Sequence, residues 1–260
     1  MMSGEPEAFI AAAKRDSVAE PSSPEEIVME TSKQTRIWSI LAAVAFAATA
    51  MIAGYRNIGV PPVVIVGGSS VIALVLWSRT YLRRPLPPDV ILPLFLLTVA
   101  ALEAHMAEEY LTGFGPAMSR LFDISWTERS FLIVFAFIGP VLYSLTALGL
   151  YYRVPLAGFL AWFIFIGPGV AEFTHFIFPI LRPAIRPDLP ETISQAVSNG
   201  RFVPNMPNYY LKTTGVYYFP GLYTAILPMI PGIWAIRRVL RASRAGQALP
   251  SPSTSPVTIR

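Results

Sequence analysis

The sequence predicts an all-α fold, an integral membrane bundle of about six transmembrane helices. Three observations carry this. Hydrophobic residues make up 53% of the 260 and charged residues 14%, with a mean hydropathy of +0.52, whereas a soluble domain carries about 25% charge. The charges collect at the ends. Residues 1–36 hold seven acidic and four basic side chains, and 237–260 hold five arginines and no acid, leaving 20 charges in the 200 residues between. Finally, six apolar runs occur, most of them near the roughly 20 residues a spanning helix needs at 1.5 Å rise each. Closed β-barrels would show ten-residue alternation, which is not seen.

Residues 1–36 are rich in Ala, Ser, Glu and Pro without a sustained apolar period, so they read as a disordered tail. The acidic leader and the late first apolar run do not read as a signal peptide. The transmembrane domain spans 37–244. Its runs 37–53 and 60–77 are free of charge. Run 90–111 begins apolar and ends in ionisable residues, and 130–152 is charge-free. Run 154–181 carries Glu172 and His175, and 216–236 is interrupted by Pro220, Pro228 and Pro231. Residues 245–260, with Pro250, Pro252 and Pro256, read as a second disordered tail.

Two loops are long. Residues 113–129 contain Phe114, Met118, Leu121, Phe122 and Trp126, which suggests a segment lying along the membrane interface. Ser125 and Glu128 have the spacing of a helix capping box. Residues 182–215 read as a lid, with a helix beginning at Asp188 and Glu191 and ending at Asn199-Gly200. Lysines and arginines flanking the runs number 13 on the side of the termini and 7 on the other, so both termini are expected in the cytoplasm. The arginines of 237–244 follow the last apolar run and read as an anchor to anionic lipid, not a nucleic-acid surface.

The chain has two histidines, both inside apolar runs. The first stands in Glu103-Ala-His105-Met-Ala-Glu108-Glu109, the second in Glu172-Phe-Thr-His175. At 100° per residue, His105, Glu108 and Glu109 share a helix face, as do Glu172 and His175, while Glu103 points elsewhere as an outer partner. Both motifs lie about six residues, roughly 9 Å, from the same end of their helices. They are therefore expected at one depth, toward the non-cytoplasmic side. Ionisable groups in lipid face the bundle interior and pair, so the two sets are expected to meet. Gly167-Pro168-Gly169 precedes Glu172 and implies a kinked, widened helix. On the last run, Gly221 and Tyr223 should reach the level of the histidines, with Tyr223 able to hydrogen-bond in the pocket.

The string His105-Met-Ala-Glu108-Glu109 resembles the motif of the HXXEE family of multi-spanning membrane proteins. That resemblance implies a membrane-spanning helical fold and supplies no reaction. The layout is also similar to that of the sterol-isomerase group, which uses membrane-buried His and Glu for proton transfer. This second likeness is one of chemistry.

Three chemistries suit these residues. His105, Glu108, Glu109, Glu172 and His175 can ligate a divalent Zn, Fe or Mn ion, since Glu-x-x-His is the pair used in helical di-metal sites. A metal-free site can instead move protons between His105 and Glu108 or Glu172, enough to isomerise or cyclise a lipid or terpenoid. Paired His and Glu can also clamp helices in a small transporter or assembly factor. Metal-assisted chemistry on a membrane lipid or other apolar molecule is the leading expectation. Cysteine is absent, which excludes disulfides, Cys-ligated zinc and iron–sulfur sites. No phosphate loop, HExxH or Gly-x-Ser-x-Gly string occurs.

Overall fold

A computed structural model describes residues 30–124, 126–181, 197–198, 201–202 and 215–248. Helix α1 is Lys33–Ile58, so 33–36, expected in the tail, form its first turn. Ser32 starts it, its hydroxyl accepting from Thr35 N at 3.1 Å, the usual N-cap bond. Helix α2, Val60–Thr80, follows after one residue, with proline in its first turn. Helix α3 is Pro88–Thr112 and stops at Gly113 in the left-handed conformation. Thr31 N donates to Arg83 O at 2.9 Å, holding the start of α1 beside the α2–α3 turn.

Residues 113–129, expected along the membrane interface, contain helix α4, Phe114–Phe122, whose Phe114, Ala117, Met118 and Leu121 are buried in the core while Phe122 is exposed. The capping pair of Ser125 with Glu128 involves Ser125, which lies outside the described residues. Thr127 performs the task, its hydroxyl accepting from Ser130 N at 3.2 Å. Helix α5, Glu128–Phe131, runs through a π-helical turn, Leu132–Ile138, into α6, Gly139–Tyr151. Helix α7, Pro155–Ile164, widens into a π-helical turn at Phe165–Val170 and tightens into 3-10 turns at Ala171–Phe176 and Phe178–Ile180. Pro168 inside the wide turn lacks the N–H that a regular α-helix would use there.

Among the described residues, five helical spans are long and apolar enough to cross a membrane: Lys33–Ile58, Val60–Thr80, Pro88–Thr112, Arg129–Tyr151 and Pro155–Ile180. The sixth run departs from expectation. Residues 215–225 form extended chain and turns, and helix α8 is Ile226–Ala248. The arginines of 237–244 therefore lie within the last helix, not after it. Pro228 sits in the first turn of α8, where proline is tolerated, so the helix starts late and continues through the polar stretch. Val197–Ser198 pairs antiparallel with Arg201–Phe202, so 197–198, expected in the last turn of a helix ending at Asn199-Gly200, are strand; the rest of that expected helix lies outside the described residues. The rest of the expected lid, and both tails beyond residues 30 and 248, lie outside the described residues.

Helices α1 and α2 form a hairpin, α7 packs on α1, α2 and α6, and α8 packs on α3 and the wide turn after α7. Lipid-facing positions are as apolar as the core. Along α2 the exposed residues include Val64, Val71 and Ile72, and the buried ones are Gly67, Ser69, Ser70, Ala73 and Trp77. Small residues at helix contacts let backbones approach closely in a bilayer. The α2–α7 seam is also tied by Trp77 Nε1 donating to Pro155 O at 2.8 Å and Trp162 Nε1 donating to Thr80 Oγ1 at 2.9 Å. Gly158 lies under the Tyr81 ring, and a Cβ there would stand 2.2 Å from Tyr81 Cδ1. Gly158→Ala is expected to destabilise the protein by about 1–3 kcal/mol through overpacking, read as a lower melting temperature in detergent.

Candidate metal centre

On α3 the buried residues Ile91, Phe95, Thr98, Leu102, His105 and Glu109 recur at three- and four-residue steps. They form one face, and Glu109 continues it one turn beyond His105. Glu108 lies 100° aside on the flank. On the 3-10 turn Ala171–Phe176, residues three apart eclipse, which brings Glu172 beside His175. The two motifs meet. His105 Nε2 lies 3.2 Å from Glu172 Oε2 and 3.5 Å from Glu109 Oε1. His175 Nε2 lies 3.1 Å from each of the same two oxygens. These four ligand atoms all lie within 4.8 Å of one another and can hold a metal ion. Around an ion bound at about 2.1 Å, a regular tetrahedron has edges of about 3.4 Å, close to the four nitrogen–oxygen separations.

The outer ring nitrogens fix the tautomers. His175 Nδ1 stands 2.9 Å from Pro220 O. A carbonyl only accepts, so Nδ1 carries the proton. Thr224 Oγ1 donates its one proton to Glu108 Oε2 at 2.5 Å, so it accepts from His105 Nδ1 at 3.0 Å. When both imidazoles are neutral, Nε2 offers a lone pair toward the two carboxylate oxygens; when they are protonated, Nε2–H donates to those oxygens instead. Two carboxylates and two neutral imidazoles carry charge −2, which a divalent cation neutralises. Histidines bound to metal ordinarily donate the other N–H to such an acceptor. Glu109 Oε2 is enclosed without a hydrogen-bond partner among the described residues, which also fits a carboxylate meant for a cation.

The surroundings are dry. Side-chain exposures are 0% for His105, 2% for Glu109, 1% for His175 and 14% for Glu172. Phe114 stacks on the His175 ring at 5.2 Å between centroids, and Phe178 and Phe219 stand at 5.6 and 6.0 Å. The two imidazoles meet edge to face at 4.8 Å.

The turn before α8 closes the fourth side. Gly221 has φ +87, and a Cβ there would lie 2.7 Å from His175 Cε1, 2.8 Å from Glu109 Cγ and 3.0 Å from His105 Cε1. Only glycine provides both that backbone conformation and that approach. Glu108 does not face the four ligand atoms. It accepts from Thr224 N at 2.8 Å and Tyr223 N at 3.3 Å, and Tyr218 OH stands 3.4 Å away. It thus tethers α3 to this turn and orients His105 through Thr224. Tyr223 contributes its backbone N–H, while its ring is 69% exposed and lies against Tyr218 at 5.0 Å. Tyr217 OH donates to Phe176 O. Glu103 is half-buried on another face of α3.

The sequence reading, which had Thr224 entering from the outer side with Tyr217, Tyr218 and Tyr223, assigned no site role to Thr224, the Pro220 carbonyl or Phe114. Thr224 is the one polar side chain that enters the histidine shell from the last run, and its hydroxyl was the available signal. A backbone carbonyl leaves none. In comparisons with known proteins, no family model, no curated protein and no solved structure matches this chain.

Proposed function

We propose that the chain is a membrane-embedded enzyme acting on an apolar or lipid-like substrate, with one divalent ion held by His105, Glu109, Glu172 and His175. The supporting observation is the convergence of both Nε2 atoms on the same two carboxylate oxygens, while each Nδ1 is committed to an acceptor outside the cluster. Mixed imidazole and carboxylate donors suit Zn, Fe or Mn. When bound, such an ion acts as a Lewis acid or activates water. The residues' own work is to fix the donors, exclude water and leave Glu172 as the most accessible edge. Flanking charges of 13 against 7 support cytoplasmic termini with the site toward the other side. The likeness to the HXXEE motif rests on a string whose His105 and Glu109 are donors and whose Glu108 supports them.

One observation favours a second reading. Four protein ligands with little exposure are the pattern of a closed structural zinc site, whereas catalytic sites keep an open position. Substitution with Co(II) in the purified protein distinguishes the two. An enzyme with an open position is expected to show a visible spectrum that shifts on adding azide. A spectrum of intense four-coordinate type, indifferent to azide, would make the ion a clamp between α3, the turn after α7 and the turn before α8.

A further inference from the structure

Helix α8 carries an outward stripe that the metal centre does not use. Leu227, Ile230 and Trp234 are exposed along its first half, and Arg237, Arg238, Arg241 and Arg244 are exposed along its second. At 100° per residue all of them fall within an arc of about 120°. The opposite face, with Pro231, Ala235, Val239 and Ser243, is buried. Because the arginines belong to the helix, one continuous face changes from apolar to cationic within a single turn. Trp234, 57% exposed, stands at the change, and tryptophan is favoured where hydrocarbon meets headgroups.

The level of the arginines follows from the contact of His105 with Thr224 at 3.0 Å. Helices α3 and α8 pack along each other and extend from that contact toward the same end of the bundle. Arg241 lies 17 residues after Thr224, and Pro88 lies 17 residues before His105, about 25 Å in both cases at 1.5 Å per residue. Arg241 therefore stands level with the first turn of α3, at the end away from the metal centre. The α2–α3 turn at that end also exposes Arg83 and Arg84.

The guanidinium groups of Arg237, Arg238, Arg241 and Arg244 have no ion-pair partner among the described residues. Like charges three and four residues apart on a helix repel, and an anion between them removes the repulsion. Residues at that spacing have Cβ atoms about 5–6 Å apart, so Arg238 and Arg241 can hold one phosphate between two guanidinium forks. A soluble anion would use the arginines alone. The apolar half of the same stripe selects an anion that carries a hydrocarbon chain.

We propose that this stripe docks an anionic phospholipid lengthwise, with its phosphate between Arg238 and Arg241 and its acyl chain along Trp234, Ile230 and Leu227. The proposal does not rest on the metal reading. The test uses full-length protein in nanodiscs of equal parts dioleoyl phosphatidylglycerol and dioleoyl phosphatidylcholine. Lipids retained on the released protein are counted by native mass spectrometry. Phosphatidylglycerol is expected to be retained about 20-fold over phosphatidylcholine, the scale of two arginines near an anionic surface. Arg238→Gln and Arg241→Gln should each reduce that preference about fivefold, and glutamine keeps the helix propensity of arginine. Arg56→Gln, at an exposed position in the last turn of α1, should leave it unchanged. Equal retention of the two lipids by the wild type would overturn the proposal. An unchanged preference in the Arg238→Gln, Arg241→Gln double variant would do the same, as would an equal fall in Arg56→Gln, which would make the preference one of net charge. Loss of the preference on adding millimolar inorganic phosphate would assign the arginines to a free anion and overturn the lipid site.

Discussion

Gly221→Ala is expected to empty the metal centre as completely as removal of a histidine. The substitution replaces no ligand, yet its methyl group would stand 2.7–3.0 Å from atoms of His175, Glu109 and His105 at once. The φ of +87 adds backbone strain for any L side chain. Three ligands must therefore move outward, and a site whose donors act as a set releases its ion. Metal content by mass spectrometry should fall below about one tenth of wild type, matching His105→Ala and His175→Ala. Full occupancy in Gly221→Ala, with a normal melting temperature, would show that the turn before α8 does not close the site.

The adjacent glutamates should separate sharply. Glu109→Gln replaces a carboxylate whose Oε1 lies 3.5 and 3.1 Å from the two imidazoles. It leaves one carboxylate to balance a divalent ion, so binding should be lost. Glu108→Gln breaks the chain from His105 through Thr224 to a carboxylate. Outer partners of this kind are worth about 10–100-fold in metal affinity, so Glu108→Gln should bind weakly but measurably in a competition titration, and Thr224→Val should behave the same. Equal and complete loss in Glu108→Gln and Glu109→Gln would place both carboxylates on the ion. Glu103→Gln should keep its metal, because Glu103 lies on another face of α3.

The membrane bundle was legible because lipid imposes long apolar runs, and five of the six runs form spans. The faces were less legible. A soluble helix betrays its core by amphipathicity, but α2 shows Val to the exterior and Gly, Ser and Ala to its neighbours, so hydropathy alone does not orient it. Helical phase from His105 admitted both Glu108 and Glu109. The stripe from Ile91 through Leu102 selects Glu109, but only once the buried side of α3 is known. Tyr223 was assigned to the pocket by its depth along a helix. The chain there is a turn, and its geometry brings Thr224 and the Gly221 backbone inward and sends the Tyr223 ring out. The late start of α8 has the same origin, since prolines in a run mark a break without saying which side of it is helical.

The most direct test is the metal content and X-ray absorption spectrum of wild-type protein purified from membranes without added metal. About one ion per chain is expected, with a nitrogen and oxygen shell at about 2.0–2.2 Å that includes two imidazoles. Fewer than about one ion in ten molecules, with folding unchanged and chelators without effect, would contradict a metal centre. The four side chains would then be a metal-free ion-pair cluster of two imidazoliums and two carboxylates.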